Sequence, residues 1–152
     1  TCALPISEAP LALARPVDGL GDARFTLVQL PLRHTPGFRT FVCQHHTRDI
    51  VWRPEHVSHA NGALGLLEVT CIGDEGDYRP VFEGLPWTVC GPSEARSRFP
   101  RLLGDRSAPA IVALRIAVLD PGISAEVLAR NGVPSIRLDD GAMAVEIGRA
   151  HV

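Results

Sequence analysis

The sequence contains no lysine, and all fifteen of its basic residues are arginine. The absence of lysine excludes Schiff-base lysine chemistry and a phosphate-loop lysine within this chain. No G-x-S-x-G, glycine-rich phosphate loop or H-E-x-x-H motif occurs, so hydrolase, nucleotide-binding and zincin interpretations have no support. The arginines are scattered and the net charge is −2, which predicts no nucleic-acid partner.

Long apolar runs and closely spaced cysteines are also missing. No run approaches the roughly 20 apolar residues that a membrane-spanning helix needs, so no membrane association is predicted. Of the four cysteines, Cys2 lies at the N-terminus, and Cys43, Cys71 and Cys90 are widely spaced. This spacing gives no disulfide framework and predicts a reducing, cytoplasmic location.

The two ends of the chain differ in character from the rest. Residues 1–6 and 146–152 resemble the translations of short-read sequencing adapters, one strand at each end. We therefore expect both stretches to be foreign to the native protein. Residues 7–145 are then predicted to form one partial domain, long enough to bury a core.

Hydrophobic periodicity and turn residues predict an α+β fold. Residues 8–21 are rich in Pro, Ala and Gly and are predicted to form a loop. Strands are predicted at 25–30, 38–46, 63–72, 111–119, 133–138 and 142–145. The first two are predicted to be antiparallel because their connection is short, and the last two are predicted to form a hairpin.

Helix-breaking and capping residues predict two helices. A short helix is predicted at 78–85, with Pro80 tolerable only in its first turn, and residues 87–109 are predicted to be a strand and a long loop. Asp120 is predicted to cap a second helix that Gly132 ends. The predicted buried stripe of this helix is Ile123, Val127 and Leu128. A strand, an aspartate and a helix thus recur 46 residues apart, at Asp74 and Asp120.

Four of the six histidines fall between Phe41 and Glu68. Side chains alternate along a strand, so His45 and His46 are predicted to face opposite sides. His59 precedes a predicted Asn-Gly turn and is either a ligand or a partner of the turn backbone. Glu68 is a lone charge in an apolar strand, so we expect it to face a site or the solvent.

Several blocks resemble the glyoxalase-like branch of the vicinal oxygen chelate superfamily. These blocks are Phe41-Val42-Cys43-Gln44-His45, Val51-Trp52-Arg53-Pro54-Glu55, His59-Ala60-Asn61-Gly62-Ala63, and Leu114 to Asp120 with Gly132-Val133-Pro134. The resemblance covers most of residues 24–145. It implies incomplete βαβββ modules of the glyoxalase/bleomycin-resistance/dihydroxybiphenyl-dioxygenase type, whose sheets curl into a cup.

In this superfamily the cup often holds a divalent metal that binds two neighbouring substrate oxygens and stabilises an oxyanion. The resemblance implies that His45, His59 and Glu68 are metal ligands and that Glu68 is catalytic. It also implies that Gln44 and Arg115 bind the substrate. Nitrogen and oxygen ligands suit Fe, Mn, Zn, Ni or Mg. A homodimer is expected by analogy.

Two functions remain open at this stage. The first is a metal-dependent lyase, isomerase or dioxygenase acting on a small oxygen-bearing metabolite. The second is a protein that sequesters a small molecule or an antibiotic without catalysis and without metal. A further expectation is that a partial cup exposes unpaired strand edges and aggregates.

Overall fold

The computed structural model describes residues 9–100 and 109–146. The chain divides into two compact units, called here the N-terminal unit (Thr1–Ser58) and the C-terminal unit (His59–Val152). Both units contain strands and helices, which confirms the predicted α+β class. No helix among the described residues is long and apolar enough to cross a membrane. The adapter-like residues 1–6 and 147–152 lie outside the described residues, whereas Glu146 ends a paired strand.

The N-terminal unit is a three-stranded antiparallel sheet followed by two single-turn helices. Its strands, in the order β1-β2-β3, are β1 (Leu11–Val17), β2 (Gly21–Gln29) and β3 (Phe41–His45). A 3-10 turn at Leu32–His34 connects β2 to β3, and α1 (Arg48–Val51) and α2 (Pro54–Val57) follow. The predicted antiparallel pairing of the second and third strands is confirmed.

The predicted loop at residues 8–21 is wrong, because β1 occupies half of it. Every residue from Leu11 to Pro16 is exposed, so this strand is held by main-chain pairing with β2 and not by burial. Pro16 is compatible with a strand here because β1 lies at the edge of the sheet.

The C-terminal unit contains a five-stranded mixed sheet in the order β5-β4-β6-β8-β7. Its elements in chain order are β4 (Ala63–Ile72), α3 (Glu75–Phe82), β5 (Trp87–Cys90), α4 (Pro92–Arg98), β6 (Ala110–Val118), α5 (Pro121–Arg130), β7 (Ser135–Arg137) and β8 (Met143–Glu146). β4 and β6 are antiparallel neighbours at the centre, and β5 runs parallel to β4 after the crossover through α3. The predicted strand at 63–72 and the C-terminal hairpin are confirmed.

α3 begins three residues earlier than predicted. The Asp74 side chain accepts a hydrogen bond from the Gly76 amide at 2.8 Å and caps the helix N-terminus. Pro80 consequently lies in the second turn, so its predicted restriction to the first turn is wrong. Proline has no N–H, and the Gly76 carbonyl therefore lacks its usual helical donor.

α4 was not predicted, since residues 87–109 were expected to hold a strand and a long loop. Pro92 occupies the first helical position, where its missing N–H is harmless. The helix is polar except where Ala95 is fully buried, so it has no apolar periodicity. Ala95 and the following Phe99 belong to a buried cluster with residues of the sheet. The other members are Ile72, Cys90, Val112, Ala113 and Ala144.

α5 has the predicted cap and end. The Asp120 carboxylate accepts hydrogen bonds from two amides of the first turn, and Gly132 adopts a φ of 67° after the last turn. The predicted buried stripe is wrong at Ile123, which is 54% exposed. Ser124 is the fully buried residue of this helix, and its hydroxyl donates to the Asn61 carbonyl.

Candidate functional site

A register shift in β4 positions the carboxylate at the centre of the candidate site. Leu66 pairs with Ile116 and Glu68 pairs with Arg115, which leaves Leu67 as an extra residue between two successive pairs. Such a β-bulge changes the direction in which the neighbouring side chains point. Leu67 is 43% exposed, whereas Val69 is buried.

Glu68 is held between two arginines from different elements. The Arg98 Nη2 at the end of α4 donates to Glu68 Oε1 at 2.7 Å. On the neighbouring strand, Arg115 Nη1 lies 3.6 Å from Glu68 Oε2. Arg115 also pairs with Asp140 in the turn between β7 and β8. The network therefore joins the sheet, a helix and a turn.

The environment of Glu68 keeps it ionised at neutral pH. Burial acts to raise the pKa of Glu68, but hydrogen bonds from Arg98 and Thr88, the charge of Arg98 and a hydrogen bond from Thr70 outweigh it. The net effect lowers the pKa of Glu68 below its ordinary value. A carboxylate with a lowered pKa is a poor general acid and a weak general base near neutral pH.

The network lines a cleft of about 390 Å³ in the C-terminal unit. Glu68, Arg98 and Arg115 are three of its lining residues. The remaining ones are Phe99, Leu138, Asp139 and Asp140. The cleft thus combines two guanidinium groups and three carboxylates with an apolar wall, and its guanidinium groups are the donors that a ligand carboxylate needs.

Two of these residues were expected from the sequence and two were missed. Glu68 and Arg115 each interrupt an apolar strand, and the structure places them directly opposite each other. Arg98 and Asp140 had no such signal, because one lies in an arginine-rich polar stretch and the other in a turn. Their role depends on packing that brings α4 and the turn to the sheet.

His59 lies in the turn before β4. Its carbonyl accepts the Gly62 amide at 2.9 Å, and Gly62 adopts a φ of 67°, whereas Asn61 does not have the positive φ expected of an Asn-Gly turn. The His59 side chain is exposed and does not line the Glu68 cleft. Within 9–100 and 109–146, no three His, Cys, Asp or Glu side chains are grouped so that they could hold a metal ion. The metal role of His59 stays a prediction.

The two other predicted site residues belong to the N-terminal unit. Gln44 and His45 line a separate cleft of about 510 Å³. His46 points away and its Nε2 lies 2.7 Å from Thr26 Oγ1, so the predicted divergence of the two histidines is confirmed. His45 Nδ1 is buried and has no hydrogen-bond partner among the described residues.

No protein-family model matches the chain, and comparisons with curated proteins and with solved structures also give no match. The resemblance to the vicinal oxygen chelate superfamily is therefore still a prediction from the sequence blocks.

Proposed function

We propose that this chain is a glyoxalase-like protein of the vicinal oxygen chelate type whose C-terminal unit binds a small carboxylate-bearing metabolite without metal. The observation that carries the proposal is the position of Arg98 and Arg115 on both sides of one carboxylate in a cleft. In this role the protein sequesters its ligand and performs no chemistry on it.

Glu68 serves to hold the guanidinium groups in place. A guanidinium carries five N–H donors in a fixed plane, and two of them match a carboxylate. Among the described residues, Glu68 is the only side chain that receives a hydrogen bond from Arg98. Arg98 therefore retains donors for a ligand carboxylate, while Phe99 and Leu138 contact the apolar part of the ligand.

The two guanidinium groups beside Glu68 disfavour a divalent cation at that carboxylate. A metal ion bound to Glu68 would lie close to the guanidinium groups of Arg98 and Arg115, which would repel it. Glu68 with its two arginines therefore fits the metal-free binding protein better than the metal-dependent enzyme.

The order of elements gives partial support to the superfamily assignment. β6, α5, β7 and β8 follow the strand, helix, strand, strand order with which a βαβββ module begins. The preceding segment departs from this order, because α4 follows β5 where a module has a further strand. The support thus rests on the last segment and on the sequence blocks.

Calorimetric titration with small carboxylates tests the proposal. We expect a 2-keto or 2-hydroxy carboxylate, such as pyruvate, lactate or mandelate, to bind, and the corresponding amide to bind at least tenfold more weakly. Arg98→Gln should weaken carboxylate binding at least tenfold. Arg79→Gln is the matched control, since Arg79 lies on α3 outside the cleft and should leave binding unchanged.

Elemental analysis of the same preparations separates the two functions. The proposal requires no stoichiometric metal in the wild-type protein. Near-stoichiometric metal that disappears in Glu68→Ala would contradict it and support the metal-dependent enzyme. Equal affinity for carboxylates and amides would also contradict it, because the arginines would then not be recognising charge.

A further inference from the structure

The cleft around Glu68 has more negative than positive groups in its lining. It is lined by two arginines, Arg98 and Arg115, and by three carboxylates, Glu68, Asp139 and Asp140, so its formal net charge is −1. A ligand that carries only a carboxylate adds a further negative charge to this cleft. A ligand that carries both a carboxylate and an ammonium group adds none, and each of its charges can lie beside a group of opposite sign.

The two arginines differ in how far their charge is already compensated. Arg115 is shared between two carboxylates, because its Nη1 lies 3.6 Å from Glu68 Oε2 and its Nη2 pairs with Asp140. Arg98 pairs with one carboxylate, through a hydrogen bond of 2.7 Å to Glu68 Oε1. Since a guanidinium has five N–H donors, Arg98 is the arginine with more donors left for a ligand.

Asp139 is the carboxylate of the cleft that is left without a partner. Within residues 9–100 and 109–146 its side chain makes no hydrogen bond and no ion pair. The turn between β7 and β8 does not need it, because the Ala142 amide donates to Asp140 Oδ1 at 3.0 Å. Main-chain hydrogen bonds of 2.9 and 3.1 Å, from Leu138 to Ala142 and from Gly141 to Leu138, complete the turn. Asp139 therefore contributes a negative charge to the cleft that the fold itself does not use.

We infer that the ligand of this cleft is a small α-amino acid with an apolar side chain. The ligand carboxylate accepts hydrogen bonds from Arg98, and the ligand ammonium group donates to Asp139. The apolar side chain of the ligand contacts Phe99 and Leu138. Asp139 is then the residue that selects an amino acid over the corresponding hydroxy or keto acid. This inference rests on the proposed function, since it specifies the ligand of the same cleft.

The size of the cleft agrees with a ligand of this class. Small-molecule sites have volumes of about 300–1,000 Å³. A cleft of about 390 Å³ is near the lower end of this range, which suits a ligand with few atoms.

Calorimetric titration of the full chain with three ligands of one skeleton provides the test. Mandelate has a hydroxyl group where 2-phenylglycine has its ammonium group, and 2-phenylglycine amide lacks the carboxylate. We expect 2-phenylglycine to bind about tenfold more tightly than either of the others, because each of them lacks one charge-assisted hydrogen bond. This comparison uses the unaltered protein and does not depend on the folding of a variant.

A variant then identifies the group that recognises the ammonium. Asp139→Asn keeps the shape of the side chain and removes its charge, so it should weaken 2-phenylglycine binding about tenfold without weakening mandelate binding. Asp77→Asn is the matched control. Asp77 is an exposed carboxylate on α3 that does not line the cleft, so this change removes the same charge from the same unit and should leave both affinities unchanged.

The outcomes separate this inference from the proposed function. If mandelate binds and 2-phenylglycine binds no more tightly, the proposed function stands and the amino-acid inference is wrong. The inference is also wrong if Asp139→Asn leaves the preference for 2-phenylglycine intact, because another group then recognises the ammonium. If neither ligand binds, or if 2-phenylglycine and its amide bind equally, both the proposed function and the inference fail.

Discussion

The ion pair between Glu68 and Arg98 should stabilise the C-terminal unit by an amount that a double-mutant cycle can measure. The Glu68 side chain is 15% exposed and the Arg98 side chain is 33% exposed, with 2.7 Å between Oε1 and Nη2. Exposed pairs are worth about 0.2–1 kcal/mol, whereas breaking a buried pair costs about 3–5 kcal/mol. A partly buried pair with good geometry should lie between these limits, and we expect a coupling free energy of about 1.5 kcal/mol.

The cycle consists of wild type, Glu68→Gln, Arg98→Met and the double variant, unfolded with urea at pH 7. A Trp52→Phe background leaves Trp87 as the only tryptophan, so its fluorescence follows the C-terminal unit alone. The same cycle on Glu75 and Arg79 is the control. That pair is i,i+4 on a helix with both side chains 66% exposed, and its coupling should be clearly smaller than that of Glu68 and Arg98.

The coupling between Glu68 and Arg98 should also depend on pH. The folded-state pKa of Glu68 is lowered from an ordinary value of 4.5, because its hydrogen bonds outweigh burial. The unfolded state therefore binds the proton more readily, and stability rises with pH in this range. The contribution should be fully present above pH 4.5 and be lost as the pH falls through the folded-state pKa. A coupling no larger than that of the control pair at pH 7 would refute the reasoning.

Three further predictions concern the C-terminal unit. Gly73→Ala should destabilise it by about 1–3 kcal/mol, because the added Cβ would lie 2.3 Å from Cε2 of the fully buried Tyr78. Gly65→Ala, in the same stretch but with open space at its Cβ, should not be destabilising, and equal urea midpoints for the two variants would contradict this difference. Asp120→Ala should lower the free energy of unfolding by about 1 kcal/mol, since the carboxylate accepts hydrogen bonds from two amides of α5 at 2.7 and 3.0 Å. An unchanged urea midpoint would show that the cap contributes nothing. Burial raises the pKa of Cys71 to about 12, so iodoacetamide at pH 8 should alkylate Cys71 far more slowly in the native protein than in urea, as peptide mapping by mass spectrometry can show.

The sequence predicts best the elements whose signals are local. The strand at 63–72 and the helix between Asp120 and Gly132 are delimited by caps, turns and apolar runs that act over a few residues. β1 was missed because an exposed edge strand needs no apolar alternation, and its pairing with β2 supplies its stability. A local sequence pattern cannot reveal a strand that is stabilised mainly by pairing with its neighbour.

The residues of the candidate site also divide into those with a local sequence signal and those without one. Glu68 and Arg115 could be found because a charge within an apolar strand must have a partner or reach solvent. Arg98 could not be found, because its selection among many arginines depends on where α4 packs. The bulge at Leu67 was also beyond the sequence pattern, since strict alternation gives no sign of an extra residue.

The repeat at Asp74 and Asp120 explains why Glu68 and Arg115 meet. Both aspartates cap a helix by accepting the amide of the glycine two residues later, so the strand-cap-helix repeat is present in the structure. β4 and β6 are antiparallel neighbours, so residues at nearly corresponding places in the two copies meet where the strands pair. Residues 68 and 115 are 47 apart, one residue more than the spacing of the two aspartates, and they pair with each other.

A cross-strand pair at such a position brings nearly equivalent residues of the two copies together. Identical charges there would repel each other, whereas opposite charges attract. A glutamate in one copy and an arginine in the other is therefore the arrangement that allows charge at this point of the sheet. The likeness ends after the helices, because β5 is parallel to β4 while β8 is antiparallel to β6. The pairing of Glu68 with Arg115 therefore depends only on the likeness of β4 to β6 and of their helix caps. The second arginine beside Glu68, Arg98, lies on α4, which has no counterpart in the other copy.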